Sequence, residues 1–115
     1  MDQNQTKKDM INQYKDREIT GGIYAIKNTE TGKMLIEATT DLRGRQNRFE
    51  FSQKTGTCVY VKLRDDWNKQ KGEQFILEVL EELKKGESQS MEDFKADIEI
   101  LLEMWLEKLA GSDLY

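Results

Sequence analysis

The stretch from Gly21 to Thr39, GGIYAIKNTETGKMLIEAT, constrains the fold more than any other part of the chain. Two short apolar runs, Ile23 to Ile26 and Met34 to Ala38, flank a polar segment that ends in Gly32. This pattern predicts a β-hairpin whose glycine supplies a positive φ. Along the first strand Ile23 and Ala25 face one way, and Gly22, Tyr24 and Ile26 the other. Along the second, Met34, Ile36 and Ala38 share one face, and Leu35, Glu37 and Thr39 the opposite one. Pairing Asn28 with Lys33 across the turn sets Tyr24 opposite Glu37, unless a bulge shifts the register by one residue. A carboxylate in such a run is unexpected.

The remaining elements follow from periodicity and end signals. Thr6 to Glu18 carries Met10, Ile11 and Tyr14 among charges, which predicts a short N-terminal helix packed on the domain. Thr40 is the expected N-cap of a helix from Asp41 to about Ser52, in which Leu42, Arg45 and Phe49 recur at spacings of three and four. Arg45 therefore lies on the apolar stripe, aimed inward or into a cleft, with Arg43 and Arg48 toward its edges. Val59, Leu63 and Trp67 predict a second helix from Val59 to Lys71, stopped by Gly72. FILEVL, from Phe75 to Leu80, alternates as a third strand. Ser90 with Asp93 three residues on makes a capping-box start for a last helix. That helix places Met91, Phe94, Ile98, Leu101, Leu102, Trp105 and Leu109 on one broad face and ends at Gly111. The order is that of an α+β domain with a small three-stranded, mainly antiparallel sheet flanked by helices. Residues 1–20 are expected to form a helical extension to a domain spanning 21–110.

At 115 residues the chain suits one domain with one modest core. It has no run of about 18 apolar residues and a head too polar for a signal peptide, so the expected home is the cytoplasm, with no membrane partner. The lone Cys58 forms no internal disulfide, and with no histidine a metal site has only oxygen ligands to draw on, which favour Mg²⁺, Mn²⁺ or Ca²⁺. Charge is divided unevenly. Met1 to Gly72 holds 14 basic against 10 acidic residues, a net of +4, whereas Glu73 to Tyr115 holds 4 against 12, a net of −8. A polyanion has to approach such a molecule from one side.

Several residues fall in a family's order. Gly22, Ile23 and Tyr24 are followed by Ile26-Lys27-Asn28 and Gly32-Lys33, then by Arg45 in the run Asp41-Leu42-Arg43-Gly44-Arg45. Further on come Lys62-Leu63, Trp67-Asn68-Lys69, Phe75 and Val79-Leu80-Glu81. In this, the chain from about Gly21 to Leu109 resembles the GIY-YIG superfamily of endonuclease domains, whose core is a three-stranded sheet flanked by helices. The resemblance implies that Tyr24 matches a tyrosine that takes a proton from the attacking water. It also implies that Arg45 matches an arginine steadying the scissile phosphate, and that a last-helix glutamate should hold a divalent metal.

The departures from that pattern concentrate on the chemistry. Where the second half of the signature reads Tyr-Ile-Gly, this chain has Leu35, Ile36 and Glu37, so a phenol is gone and a carboxylate replaces a glycine. Phe49 occupies a position often held by histidine, and the metal-ligand position falls on Leu102, with Glu99 and Glu103 nearby in sequence. Losing even one oriented donor typically costs about 10² to 10³ in rate. The expected reading is a degenerate, catalytically inactive domain whose vestigial site is Tyr24, Arg45 and Glu37, with an ion pair joining Glu37 to Arg45. Arg43, Arg45 and Arg48 are its candidate contacts to DNA or RNA. Two alternatives stand beside it. One is an active endonuclease using Mg²⁺ or Mn²⁺ with altered site chemistry, and the other is a protein-interaction domain with no nucleic-acid role.

Overall fold

The computed structural model describes residues 19–115, so the helix expected over Thr6 to Glu18 lies outside the described residues. In order come β1 (Thr20–Asn28), β2 (Met34–Thr39), α1 (Leu42–Thr55), a 3-10 turn (Val61–Leu63), α2 (Arg64–Gln70), β3 (Phe75–Lys84) and α3 (Met91–Lys108). The hairpin forms as its alternation dictates. Tyr24 stands opposite Glu37, and the Asn28 amide donates to the Lys33 carbonyl at 2.8 Å. The Asn28 side-chain oxygen takes the Glu30 amide at 3.0 Å, an Asx turn that closes the loop before Gly32 at φ 79°.

β1 is the centre of the sheet, in the order β2-β1-β3, with both pairings antiparallel. Because side chains alternate along β1, the strand serves two cores. Tyr24 and Ile26 join Leu35, Leu42, Phe49, Tyr60, Leu63, Trp67 and Phe75 under α1 and α2. On the other face Ile23 packs with Phe94 and Ile98 of α3, flanked by Ile36, Ala38, Leu80 and Leu102. The second core is where the last helix spends its apolar face.

A register shift does occur, in the β1–β3 pairing and not in the hairpin. Ile23 pairs with Glu81 and Tyr24 with Val79, leaving Leu80 extra. Gly22 makes room for this bulge. It sits at φ 151°, and an added Cβ would lie 1.9 Å from the Glu81 carbonyl oxygen. Beyond the bulge, the Glu81 carboxylate turns to the α3 side and accepts the Trp105 indole N–H at 2.8 Å.

Several boundaries differ from expectation. Asp41, not Thr40, caps α1, its carboxylate taking the Gly44 amide at 3.0 Å. α1 then runs on to Thr55, where Gly56 adopts the left-handed conformation that ends it. The helix expected from Val59 begins only at Arg64, after an extended Tyr60 and a single 3-10 turn. β-Branched Val59 and Val61 favour the extended backbone, whose alternation turns Tyr60 inward against Phe49 and Trp67 while Val61 stays exposed. β3 extends past Leu80 to Lys84, because the bulge restores its pairing beyond the point where the alternation breaks. The Ser90 cap forms as expected, accepting the Asp93 amide at 3.1 Å, and α3 ends at Lys108. Past α3 the chain returns to the hairpin. The Tyr115 hydroxyl donates to Asp66 at 2.8 Å and accepts from Asn28 at 3.1 Å, tying β1 to α2.

Candidate functional site

Tyr24 is held on β1 with no exposure, its ring in the core beneath α1. Its hydroxyl donates to Glu37 Oε2 at 2.6 Å, the cross-strand partner that the hairpin register provides. Burial, then this bond and the charge of Glu37, push the Tyr24 phenol far above its ordinary range, although Arg45 pulls the other way. A phenol in that state holds its proton. The ion pair expected between Glu37 and Arg45 is not made, and among the described residues the ion pair within 4.0 Å is Lys69 with Asp66. Glu37 bonds to the phenol because both project from neighbouring strands at one level of the sheet, whereas Arg45 is carried on a helix above it.

Glu37 lies in a cleft of about 300 Å³ that also has Arg45, Arg48 and Lys62 in its lining, with Tyr60 in its wall. Three cations therefore share the cleft with one carboxylate. Arg48 lies across the Tyr60 ring, its guanidinium carbon 5.8 Å from the ring centre. The Tyr60 hydroxyl is buried without a hydrogen-bond partner. Burial raises the Tyr60 phenol, and Arg48 and Arg45 offset part of that rise. The cleft can therefore offer cationic donors to an anion, in a concave setting where water screens them less than on an open surface.

Not every candidate converges there. Arg43 is exposed on α1 and stands outside the cleft lining, as does Lys54. A wider groove of about 580 Å³ between α1 and β3 is lined by Glu50 and Glu73 and by no basic residue, so it does not suit phosphate. The acidic residues of α3, including Glu99 and Glu103, are exposed on a helix that covers the opposite face of the sheet. Cations therefore gather in the Glu37 cleft, while the other groove beside α1 and the exposed side of α3 carry carboxylates.

The donor set does not suit the divalent ion that the family resemblance implies. Leu102 packs against the Ile23–Phe94–Ile98 core and carries no oxygen, and Phe49 is buried under α1. Among the described residues no group of three acidic, histidine or cysteine side chains gathers to hold a metal. Glu37 is committed to Tyr24, and its neighbours in the cleft are cations. These residues fit neither Mg²⁺ nor Mn²⁺.

Tyr60 is the site residue that sequence reasoning missed. Its signal is the alternation Val59-Tyr60-Val61, which favours an extended segment and is overshadowed by the helical spacing of Leu63 and Trp67. One solution property follows from the tyrosines. Tyr24, Tyr60 and Tyr115 are all raised above 10, chiefly by burial. In the unfolded chain each ionises at about pH 10, so above that pH the unfolded state sheds protons that the folded state keeps. Their stability contribution is whole below about pH 10 and is lost as pH rises toward the folded values. The urea midpoint is expected to fall from about pH 10 upward, and Tyr24→Phe to flatten that fall; identical pH profiles for both proteins would contradict it.

Comparison with known proteins places this geometry. No protein-family model matches the chain, and no curated protein matches it significantly. Two solved structures are similar to it. One is a mutant of the catalytic domain of intron endonuclease I-TevI, with TM-score 0.60 and 26% identity, covering 84% of this chain and 92% of that one. The other is the catalytic domain of homing endonuclease I-TevI, with TM-score 0.57 and 25% identity, covering 83% of this chain and 95% of that one. The fold is that of an α+β nuclease-like domain, and it carries a cationic cleft beside its central hairpin. The chain belongs to the GIY-YIG superfamily, as a member whose second signature half has become Leu35-Ile36-Glu37. No helix among the described residues is long and apolar enough to cross a membrane.

Proposed function

We propose that this domain holds nucleic acid in the Arg45–Arg48–Lys62 cleft without hydrolysing it. The observation that carries the proposal is the 2.6 Å bond from Tyr24 to Glu37 inside a cleft otherwise lined by cations. A general base must accept a proton at working pH, and a buried phenol donating to a carboxylate does the reverse. With Leu102 in place of a metal-binding carboxylate and the Tyr24 phenol committed to Glu37, the cleft offers neither a free base nor a metal ligand set for hydrolysis. Phosphate contact needs neither group. Arginines and a lysine in a concave setting release counterions when a polyanion binds.

Binding is expected to be strongly salt dependent. With about three phosphates neutralised on a duplex, log K should fall against log salt with a slope of about −2.7. Arg48→Ala is expected to weaken binding about 10-fold and to reduce that slope by about one, measured by fluorescence anisotropy. Failure to bind DNA or RNA at low salt removes the proposal. Plasmid incubated with the protein and Mg²⁺ or Mn²⁺ is expected to stay supercoiled. Nicking that Tyr24→Phe abolishes would restore the endonuclease reading.

A further inference from the structure

Two large apolar side chains are exposed on the segments that carry the cations of the cleft. Phe51 is 64% exposed, and Val61, in the cleft lining, is 76% exposed. Phe51 follows Arg48 by three positions on α1, which puts the two side chains on neighbouring positions of one helix flank. Phe49, two residues earlier, points into the core and stacks edge-on to Trp67, so the same helix presents one phenyl inward and one outward. No aromatic contact covers Phe51 among the described residues.

We propose that the cleft takes an unpaired strand of nucleic acid, with a phosphate held among Arg45, Arg48 and Lys62 and a neighbouring base stacked on Phe51. This rests on the nucleic-acid reading above and adds the class of strand. In a duplex each base is stacked between its neighbours and presents only its edges in the grooves, so an exposed ring on a helix flank finds no free face. A single strand or an unpaired end presents both its phosphates and its base faces, and a cationic track beside an aromatic ring suits that combination. Charge complementarity favours this occupant over a protein partner, because Phe51 stands one turn from Arg48 and Val61 lines the cleft together with Arg45, Arg48 and Lys62.

The test is anisotropy with a labelled oligothymidylate and with a duplex of equal length, at low salt, using the full chain. The single strand is expected to bind more tightly. Phe51→Ala should weaken that binding about 10-fold while leaving duplex binding and the salt slope unchanged, and Phe51→Tyr should keep it. Because Phe51 is exposed, these variants are expected to fold as the parent does, which circular dichroism checks. Equal affinity for both oligomers with no effect of Phe51→Ala overturns the unpaired-strand assignment and leaves the cationic cleft standing. No binding to either oligomer removes the nucleic-acid reading itself. Self-association that Phe51→Ala abolishes, in the absence of oligomer binding, assigns the patch to a protein contact and also overturns the inference.

Discussion

Gly22→Ala is expected to destabilise the domain by at least about 3 kcal/mol and to lower its melting temperature by more than about 12 °C. Two costs combine at this position. The backbone has φ 151°, which a side chain rarely adopts, and the new Cβ would press 1.9 Å from the Glu81 carbonyl oxygen, a backbone atom in the paired strand that has nowhere to move. Relief requires opening the β1–β3 pairing at the bulge, which would also displace Glu81 from Trp105 and disturb the setting of Tyr24. Gly32 supplies the control. It too has positive φ, at 79°, but nothing lies within 4 Å of an added Cβ, so Gly32→Ala should cost only about 1–2 kcal/mol. Thermal unfolding of the two variants side by side decides the matter, and similar losses would show that crowding at the bulge is not the cause. A loss of about 3 kcal/mol is a large part of the total for a domain of this size.

Trp67→Ala is expected to cost about 3–5 kcal/mol and to weaken nucleic-acid binding as well. Trp67 has no exposure and ties the aromatic core together. It stacks on Phe75 with ring centres 5.3 Å apart, and lies 6.0 Å from both Phe49 and Tyr60. Removing it leaves a cavity directly behind the Tyr60 wall of the cleft, so the position of Arg48 over that ring loosens with it. Trp67→Phe should be far milder. It loses some ring area but also removes an indole N–H that is buried without a partner. Urea unfolding should show a lower midpoint for Trp67→Ala with an unchanged slope. Binding measured well below the transition should be weakened for Trp67→Ala and close to the parent for Trp67→Phe. Unchanged binding in Trp67→Ala would mean that the cleft does not depend on this core for its shape.

Much of the architecture was legible in the chain because it rests on local rules. The alternation on each side of Gly32 set the hairpin and its register, so that Tyr24 opposite Glu37 could be read before any side chain was placed. Ser90 with Asp93 marked the start of α3 for the same reason, since a cap is a contact between residues three apart. The bulge was not legible at its true place. It arises from the approach of β3 to Gly22, two segments about sixty residues apart in sequence. The length of β3 was hidden too, because Glu81, Glu82 and Lys84 look like loop residues although they belong to an edge strand, where charge is tolerated.

For the site, sequence by itself settled which chemical groups exist: a phenol at Tyr24, a carboxylate where a glycine is usual, arginines along one helix, and no oxygen at Leu102. It also predicted Tyr24 opposite Glu37, unless a bulge shifted the register, since strand pairing is a matter of register. Tertiary structure alone decided that Glu37 takes the proton of Tyr24 and not the charge of Arg45, that Tyr60 walls the cleft, and that Arg43 stays outside it. The physical reason is range. Period and capping act between residues a few positions apart, whereas a hydrogen bond or a shared electrostatic pocket is won or lost over about an ångström, and that distance depends on how α1 and the Tyr60 segment dock on the sheet.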